Sequence, residues 1–393
     1  MANEELTWET TREIDYGLSL GLFNNRVTIE ADYYDKETSN LLLEVPLPST
    51  SGYQTAFKNL GLVSNKGYEF AVNANMIENR DFDWNMNFNI SFNENKVLDL
   101  GDADEFFVTA IGDNLTNNDY IVKVGESLGS IYGLDFDGVY TYDDFVEFEG
   151  MTDSEAASKL YADAAAVGDD GTAMWWSLNQ YTLKDGVPLN ALVTNGTYRP
   201  GMTKFKDVNG DGVINDDDRH IIGNTLPKHF GGMSQNLNFM NFDLSIQTSW
   251  SYGNDVYNKT LKKGIQTSVP WRNKFAIVND RWSPENPMGK FTAFSAGSSG
   301  DVNSAAYDSY IEDGSYFRIG NITLGFTLPK DLIRKIGVKN LRIYASMDNV
   351  HIWTKYSGWD PDVSVGNNQL TPGLDVDSYP RSRTFRTGIV ARF

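Results

Sequence analysis

The segment 207–218 has the residue types and spacing of a calcium-binding loop. Its oxygen-bearing side chains recur at alternate positions, and Gly212 stands at the sixth position, where such loops turn sharply. The expected ligands are Asp207, Asn209, Asp211, Val213 (through its carbonyl), Asn215 and Asp218. Hard cations prefer such oxygen ligands, so the pattern predicts a structural Ca²⁺ site. Asp218 is shorter than the glutamate usual at the last position, and a solvated polar turn that binds nothing is the alternative interpretation.

Other residues with catalytic potential form no recognisable site. The segment 125–129 matches G-x-S-x-G, but a nucleophile elbow needs a helix directly after it, and the residues that follow predict none. There is no cysteine, and the 3 histidines show no triad spacing and make a zinc site improbable. No spacing singles out a glycosidase-type pair among the many carboxylates. The sequence therefore predicts that the protein is not an enzyme.

Four tryptophans in predicted loops are candidates for contact with a ligand or a partner protein: Trp175, Trp176, Trp271 and Trp282. Exposed aromatic rings stack on sugars and anchor protein partners. The alternative is that these rings pack loop against loop. The residues alone leave both interpretations open.

Charge and composition narrow the class of protein. The 393 residues carry 53 acidic and 33 basic side chains, a formal net charge of −20, which argues against a nucleic-acid partner. No apolar run is long enough for a membrane-spanning helix. Aromatic residues nevertheless reach 13%. A membrane β-barrel accounts for this combination, because it places aromatics in two interfacial girdles and polar residues in its loops and lumen.

Alternating apolar and polar residues predict the elements. In the segment 82–92, Phe82, Trp84, Met86, Phe88, Ile90 and Phe92 alternate with Asp83, Asn85, Asn87, Asn89 and Ser91. Similar blocks of about ten residues recur along the chain, the length that a tilted membrane strand needs. We count about nine such strands, centred near residues 19, 31, 71, 88, 234, 248, 321, 345 and 387.

The connections between these strands are short at one end and long at the other. Links such as 24–25, 78–80 and 240–241 suit tight hairpins, whereas 96–226 is a long region predicted to be extracellular. Within it, an Ala-rich pattern predicts a helix over 153–166. Segregated loop lengths are typical of outer-membrane barrels, so the fold class predicted is all-β, part of a transmembrane antiparallel barrel.

Several local patterns together resemble the SusC/RagA family of TonB-dependent outer-membrane transporters. The resemblance is strongest in the segments 342–349, 354–361 and 379–393, and 281–287, 313–325 and the 207–218 loop are also similar to that family. It runs along essentially the whole chain. Each pattern alone is weak evidence, but their joint occurrence is specific.

The resemblance implies a barrel of roughly 22 strands with an N-terminal plug. It also implies location in the outer-membrane lipid, a SusD-like surface lipoprotein as lid, energy from TonB through the plug, and oligosaccharide or peptide cargo. Residues 1–393 would be the C-terminal part of the barrel, and we expect the plug domain and the signal peptide to be absent from this sequence. Phe393, at the end of the last alternating strand, is the expected membrane-assembly signal.

Two other functions remain open at this stage. One is a soluble cell-surface β-sandwich binding module with a calcium loop, and the other is a secreted β-rich glycosidase. The segregated loop lengths and the terminal aromatic strand favour the transporter, since a sandwich has no reason to place its short loops at one end.

Overall fold

The computed structural model describes residues 6–46, 50, 52, 55–59, 61–110, 118–167, 178, 181–192, 198–266, 272–294, 306–333, 337–365 and 368–393. Strands dominate this part of the chain. No helix within these ranges is both long and apolar enough to cross a membrane.

One large antiparallel sheet organises the molecule. Its nine strands are β1 (Thr10–Leu22), β2 (Val27–Ser39), β5 (Leu62–Glu78), β6 (Phe82–Asp99), β15 (His229–Phe239), β16 (Phe242–Tyr252), β20 (Tyr316–Thr327), β21 (Asn340–Thr354) and β23 (Thr384–Arg392). Each strand pairs with the next of these strands along the chain. The predictions of an all-β barrel fold and of about nine strands are confirmed.

Short links join the strands at one end of the sheet. In the described residues they comprise 23–26, 79–81, 240–241, and 328–333 with 337–339. Asn24 and Asn25 adopt positive φ angles of 56° and 63°, the left-handed conformation that asparagine tolerates best among residues with a side chain. This local chemistry closes the β1–β2 hairpin, with Leu22 opposite Val27.

Long links at the other end form a layer of smaller sheets. We call the described residues within 100–228, 253–315 and 355–383 the loop layer. Its strands are β7 (Glu105–Val108), β8 (Tyr120–Lys123), β9 (Ser130–Leu134), β10 (Phe136–Val139), β11 (Leu189–Asn190), β12 (Thr203–Phe205), β13 (Val213–Ile214), β14 (His220–Asn224), β17 (Asp255–Asn258), β18 (Ala306–Tyr307), β19 (Ile311–Asp313) and β22 (Leu374–Asp375). A separate hairpin links β2 to β5 through β3 (Leu42–Pro46) and β4 (Thr55–Asn59).

Helices are few in the described ranges. The longest α-helix is α1 (Asp153–Val167), and the other two α-helices are α2 (Lys259–Ile265) and α3 (Lys330–Ile333); short 3₁₀ helices such as Ala276–Asp280 also occur in the loop layer. The α1 helix begins where the sequence predicts, because Thr152 and Glu155 form a reciprocal capping box: the Thr152 amide donates to Glu155 (2.9 Å) and the Glu155 amide to the Thr152 hydroxyl (3.4 Å).

The main hydrophobic core lies in the loop layer. It contains Tyr120, Ile131, Leu134, Tyr140, Phe145, Leu160, Phe205 and Trp282, all fully buried. By contrast, large apolar side chains of the nine-stranded sheet remain exposed, among them Leu18 (57%), Leu324 (50%) and Ile389 (69%). The chain therefore buries apolar surface in its loops and presents apolar surface on its sheet, the opposite of a soluble sandwich.

Candidate functional site

Strand register sorts the side chains of the large sheet onto two chemically different faces. Along β6, Phe88 pairs with Val72 on one side and with Met233 on the other, while the next residue, Asn87, pairs with Asn73 and Ser234. We call the first set the apolar face and the second the polar face. The apolar face continues across all nine strands through Leu20, Ile29, Val72, Phe88, Met233, Leu244, Leu324, Ala345 and Ile389.

Aromatic residues border the apolar face in two rows. Near the loop layer, cross-strand partners on adjacent strands form the row Tyr16, Tyr33, Tyr68, Phe92, His229 and Tyr252. Near the short links, the row is Phe82, Phe239, Phe242 and Phe326. Phe82 and Phe92 are about ten residues apart, roughly 33 Å along the strand. At a tilt of ~35–45° this becomes about 25 Å, the height of the apolar band of an outer-membrane barrel.

The polar face carries hydrogen-bonded ladders instead of free apolar groups. The Asn87 amide donates to the Ser234 hydroxyl at 3.2 Å, and Asn321 donates to Ser346 at 3.0 Å and to Asp348 at 2.7 Å. Arg342 binds Asp243 through Nε at 2.9 Å. A face of amides, hydroxyls and ion pairs suits a water-filled lumen, because these groups are also solvated there.

A bulge at Gly320 keeps the two faces in phase and positions Arg318. Asn321 pairs with Gln247 and Ile319 pairs with Thr248, so Gly320 is the extra residue in β20. Arg318 therefore points to the polar side. There its guanidinium donates two hydrogen bonds to the carboxylate of Asp360 in the loop layer, at 2.6 and 3.0 Å, and both residues are buried. This bidentate pair ties the loop that follows β21 to the barrel strand.

The 207–218 loop is arranged by its own side chains. Asp207 accepts bonds from the amides of Gly210 (2.6 Å) and Gly212 (2.7 Å). Asn209 accepts from the Asp211 amide at 2.8 Å, and Asp211 accepts from the Val213 amide at 2.7 Å. These local turns bring the side chains expected at the first, third and fifth ligand positions onto one loop.

Asp218 has a different environment from the other expected ligands. It is fully buried, and its carboxylate accepts from the amides of Val208 (2.8 Å), Asn209 (3.3 Å) and Asn215 (2.8 Å). Three of about four lone-pair positions are thus used inside the loop. In the described part of the chain, no group of three or more His, Cys, Asp or Glu is arranged to hold a metal ion. A cation here would therefore need amide and backbone carbonyl oxygens as well as carboxylates.

Trp282 corrects the expectation of an exposed contact residue. Its side chain is fully buried, and its ring lies edge-on to Tyr142 with centroids 5.3 Å apart. A Cβ added at Gly201 would come within 2.6 Å of the Trp282 ring, so only glycine permits this packing. Trp282 is therefore a core residue of the loop layer. Burial of its large ring stabilises the fold and leaves no surface for a ligand. Trp175, Trp176 and Trp271 lie outside the described residues.

Two further residues named from the sequence, Phe393 and Ser127, have clear positions in the structure. Phe393 follows β23 directly and is 78% exposed, on the end of the sheet that carries the short links. Ser127 of the G-x-S-x-G match precedes β9, not a helix, and its hydroxyl accepts a bond from Asn224 at 2.6 Å. Ser127 is therefore a structural hydrogen-bonding residue of the loop layer.

Buried charges were not apparent from the sequence. Lys259 is almost fully buried, with Nζ 3.5 Å from the Asp119 carboxylate and 3.3 Å from the carbonyl oxygen of Ala110. Arg199 is equally buried, and removal from water lowers its pKa to about 10. The groups beside Lys259 lie about 140 residues away in the sequence, so no local pattern could have revealed that pairing.

Comparison with known proteins agrees with this geometry. Residues 1–195 match the family described as TonB dependent receptor-like, beta-barrel. The chain is 33% identical to TonB-dependent receptor P3 of Formosa agariphila over 100% of its own length and 35% of the relative. It is 27% identical to TonB-dependent receptor SusC of Bacteroides thetaiotaomicron, over 100% of this chain and 32% of the relative. The chain thus spans about a third of the length of these curated relatives.

Solved structures show the same fold. The structure of the RagAB peptide transporter aligns with a TM-score of 0.67 at 20% identity, covering 99% of this chain and 36% of that chain. The RagAB peptide importer in its "open-open" state aligns equally well, at 0.67 and 19% identity, over 100% of this chain and 35% of that one. Together with the two-faced sheet, these matches establish that the chain belongs to the TonB-dependent receptor family and is a β-barrel portion of the SusC/RagA type.

Proposed function

We propose that this chain supplies barrel wall, lumen surface and surface loops to an active importer of oligosaccharides or peptides in the outer membrane. The apolar face contacts lipid, the polar face lines the lumen, and the loop layer faces the outside of the cell. Its largest region is 100–228, which replaces the predicted 96–226 because β6 continues to Asp99. The chain itself has a transport role and no catalytic one, in keeping with a family of receptors and transporters.

One observation carries this proposal: a single sheet has an exposed apolar face bordered by two aromatic rows about 25 Å apart. A soluble β-sandwich would cover that face with a second sheet, and in the described ranges the nine strands form one sheet. A secreted glycosidase would likewise bury it. An exposed apolar band of this height is stable only against hydrocarbon.

Further partners follow from the proposed import. A SusD-like surface lipoprotein would close over the loop layer, and TonB would act through a plug domain of the full-length receptor. The RagAB structures are those of a peptide importer, and they support the fold of such a receptor. The cargo of this receptor is proposed only as a glycan or a peptide.

The test is uptake by cells that lack the intact receptor. We expect a deletion strain to lose growth on one class of oligosaccharide or peptide, and the wild-type gene to restore it. A receptor variant with its TonB-contacting segment removed should reach the outer membrane and fail to restore growth. If the deletion strain grows normally on every glycan and peptide supplied, the import proposal is refuted.

We also propose that a calcium ion orders the 207–218 loop. The supporting observation is that Asp207, Asn209 and Asp211 share one loop, and that the exposed Asp211 has a second carboxylate oxygen whose only partner is the Asn209 side-chain amide at 3.2 Å. Calcium would offset the mutual repulsion of these carboxylates and fix the loop. Its role would be structural, without sensing of calcium.

A further inference from the structure

A pocket of about 610 Å³ opens in the loop layer beside α2, and none of the candidate site residues named from the sequence lines it. Its apolar walls are Leu261, Phe275, Ile277 and Trp359, and its polar groups include Glu312 and Ser357. A volume of this size with apolar walls and converging polar groups is typical of small-ligand sites. The hydrogen bonds and charges of these polar groups determine which class of ligand the pocket would bind.

Hydrogen-bond donors of Asn258 and Ser357 in the pocket already bind one carboxylate, that of Glu312. Glu312 accepts from the Asn258 amide at 2.7 Å, from the Ser357 hydroxyl at 2.8 Å and from the Ser357 backbone amide at 2.7 Å. A carboxylate has about four lone-pair positions, so Glu312 can accept from one further donor. The side-chain donors that converge on Glu312 are already used, so the pocket offers a ligand chiefly an acceptor.

A second carboxylate strengthens this bias. Asp375 also lines the pocket, and it accepts from Thr260 at 3.0 Å, Ser378 at 2.7 Å and Tyr356 at 2.6 Å. No lysine or arginine is among the described residues that line the pocket. The described lining therefore holds two carboxylates and no basic side chain, which disfavours an anionic ligand and favours a cation.

Trp359 is exposed on a firmly held loop. Its side chain is 70% exposed, although its neighbours Tyr356 and Asp360 are buried. Asp360 is fixed by Arg318, and a Cβ at Gly358 would lie 2.4 Å from the Tyr356 ring, so the chain is packed tightly on both sides of the tryptophan. A ring held open to solvent in this way offers its π face to a ligand at little entropic cost.

We propose that this pocket binds the cationic side chain of a peptide, with an arginine or lysine head at Glu312 and its stem against the ring of Trp359. The head donates to the free position of the carboxylate and lies near the aromatic face, where a cation–π contact adds to the attraction. Leu261 and Ile277 cover the methylene groups of the stem. The inference rests on the proposed import function only for its purpose, as a contact for basic peptide cargo.

The test uses the intact receptor, purified in detergent, and two matched probes. N-acetyl-arginine amide carries the guanidinium, and N-acetyl-citrulline amide replaces it with a neutral group of nearly the same shape. We expect the arginine probe to bind about tenfold more tightly by calorimetry, since one charge-assisted contact is lost in the other. Equal affinity for the two probes would overturn the proposal.

Two variants and a control locate the binding. Trp359→Ala and Glu312→Gln should each weaken binding of the arginine probe by about tenfold. Trp359→Ala removes an exposed ring, so folding is not at issue. Tyr379→Ala removes another exposed loop aromatic, 93% exposed and absent from the pocket lining, and should leave binding unchanged. Binding that survives Trp359→Ala would refute the site.

These measurements separate the pocket from the import function. Probe binding is an equilibrium property of the purified receptor and needs neither TonB nor a lid. Normal growth of the deletion strain together with arginine-selective binding would refute import and leave the pocket standing. Loss of growth on a peptide source together with equal binding of both probes would refute the pocket and leave import standing.

Discussion

Replacing Met86 by arginine tests the assignment of the two faces directly. Met86 belongs to the apolar face, opposite Ala74 on β5 and Gln235 on β15. It lies four positions beyond Phe82, roughly 13 Å along the strand and about 10 Å in height at the usual tilt. Because the apolar band is about 25 Å tall, Met86 lies close to the membrane midplane.

The expected cost follows from that position. An arginine at the lipid-facing midplane of such a barrel costs about 2–4 kcal/mol. The matched variant is Asn87→Arg, one residue further and on the polar face. Asn87 donates a single 3.2 Å hydrogen bond to Ser234, and its loss costs about 1 kcal/mol, while the new guanidinium stays in water. We therefore expect Met86→Arg to be more damaging by roughly 1–3 kcal/mol.

The assay is folding of the intact receptor into lipid vesicles over a urea series, with outer-membrane abundance in cells as a second readout. Met86→Leu serves as the volume-conserving control and should cost less than about 1.5 kcal/mol. Equal destabilisation by Met86→Arg and Asn87→Arg would refute the face assignment, and with it the barrel interpretation of the exposed apolar surface.

Three further predictions concern the ends of the strands and the loops. Deleting Phe393 should lower the amount of receptor in the outer membrane, because the exposed aromatic end of the last strand is the proposed assembly signal, and unchanged surface abundance on immunoblots would contradict this. Asp360→Ala should destabilise the loop after β21 by about 3–5 kcal/mol, because it leaves the buried Arg318 without its carboxylate, whereas Lys355→Ala, at an exposed pair with Asp313, should cost under about 1 kcal/mol; protease sensitivity of that loop distinguishes them. Calcium should protect the 207–218 loop from proteolysis, and magnesium should protect it poorly. Asp207→Ala and Asp211→Ala should each abolish the protection by calcium. Identical cleavage with calcium, magnesium and a chelator would favour the interpretation as a polar turn that binds nothing.

The sequence was sufficient for the large sheet because a strand has a strict period of two. In β6 this period continues without interruption from Phe82 to Phe92, so each residue is assigned to the correct face. The α1 helix was equally predictable, since its start depends on the local pair Thr152 and Glu155. Both features depend on neighbours in the chain.

At β-bulges, the period of two no longer predicts the face on which a residue lies. The alternating pattern assigns Met76 to the apolar face, but Asn75 pairs with Asn85 and Ile77 pairs with Trp84, so Met76 is the extra residue and Ile77 takes that place. Gly320 shifts β20 in the same manner. A bulge changes the phase by one residue, and its position depends on the partner strand, which a single sequence does not reveal.

Aromatic residues in the loops were the least predictable. Trp282 and Trp359 both lie in Pro- and Gly-containing segments, yet one is fully buried and the other is 70% exposed. The difference arises from residues far away in the chain: Gly201 and Tyr142 enclose Trp282, while Arg318 holds the loop that exposes Trp359. Exposure in an irregular region is a tertiary property, so composition and spacing cannot supply it.

The two parts of this chain are adapted to different surroundings, and this explains why ligand sites should be sought in the loop layer. The sheet exposes its apolar side chains and needs hydrocarbon to cover them, so its outer surface is fixed by the membrane. The loop layer buries a core of its own, including Tyr120, Phe145 and Phe205, and is stable against water. Apolar groups that stay exposed in the loop layer, such as Trp359, neither contact lipid nor pack in the core. In the proposed importer, these exposed groups are the ones that would contact cargo.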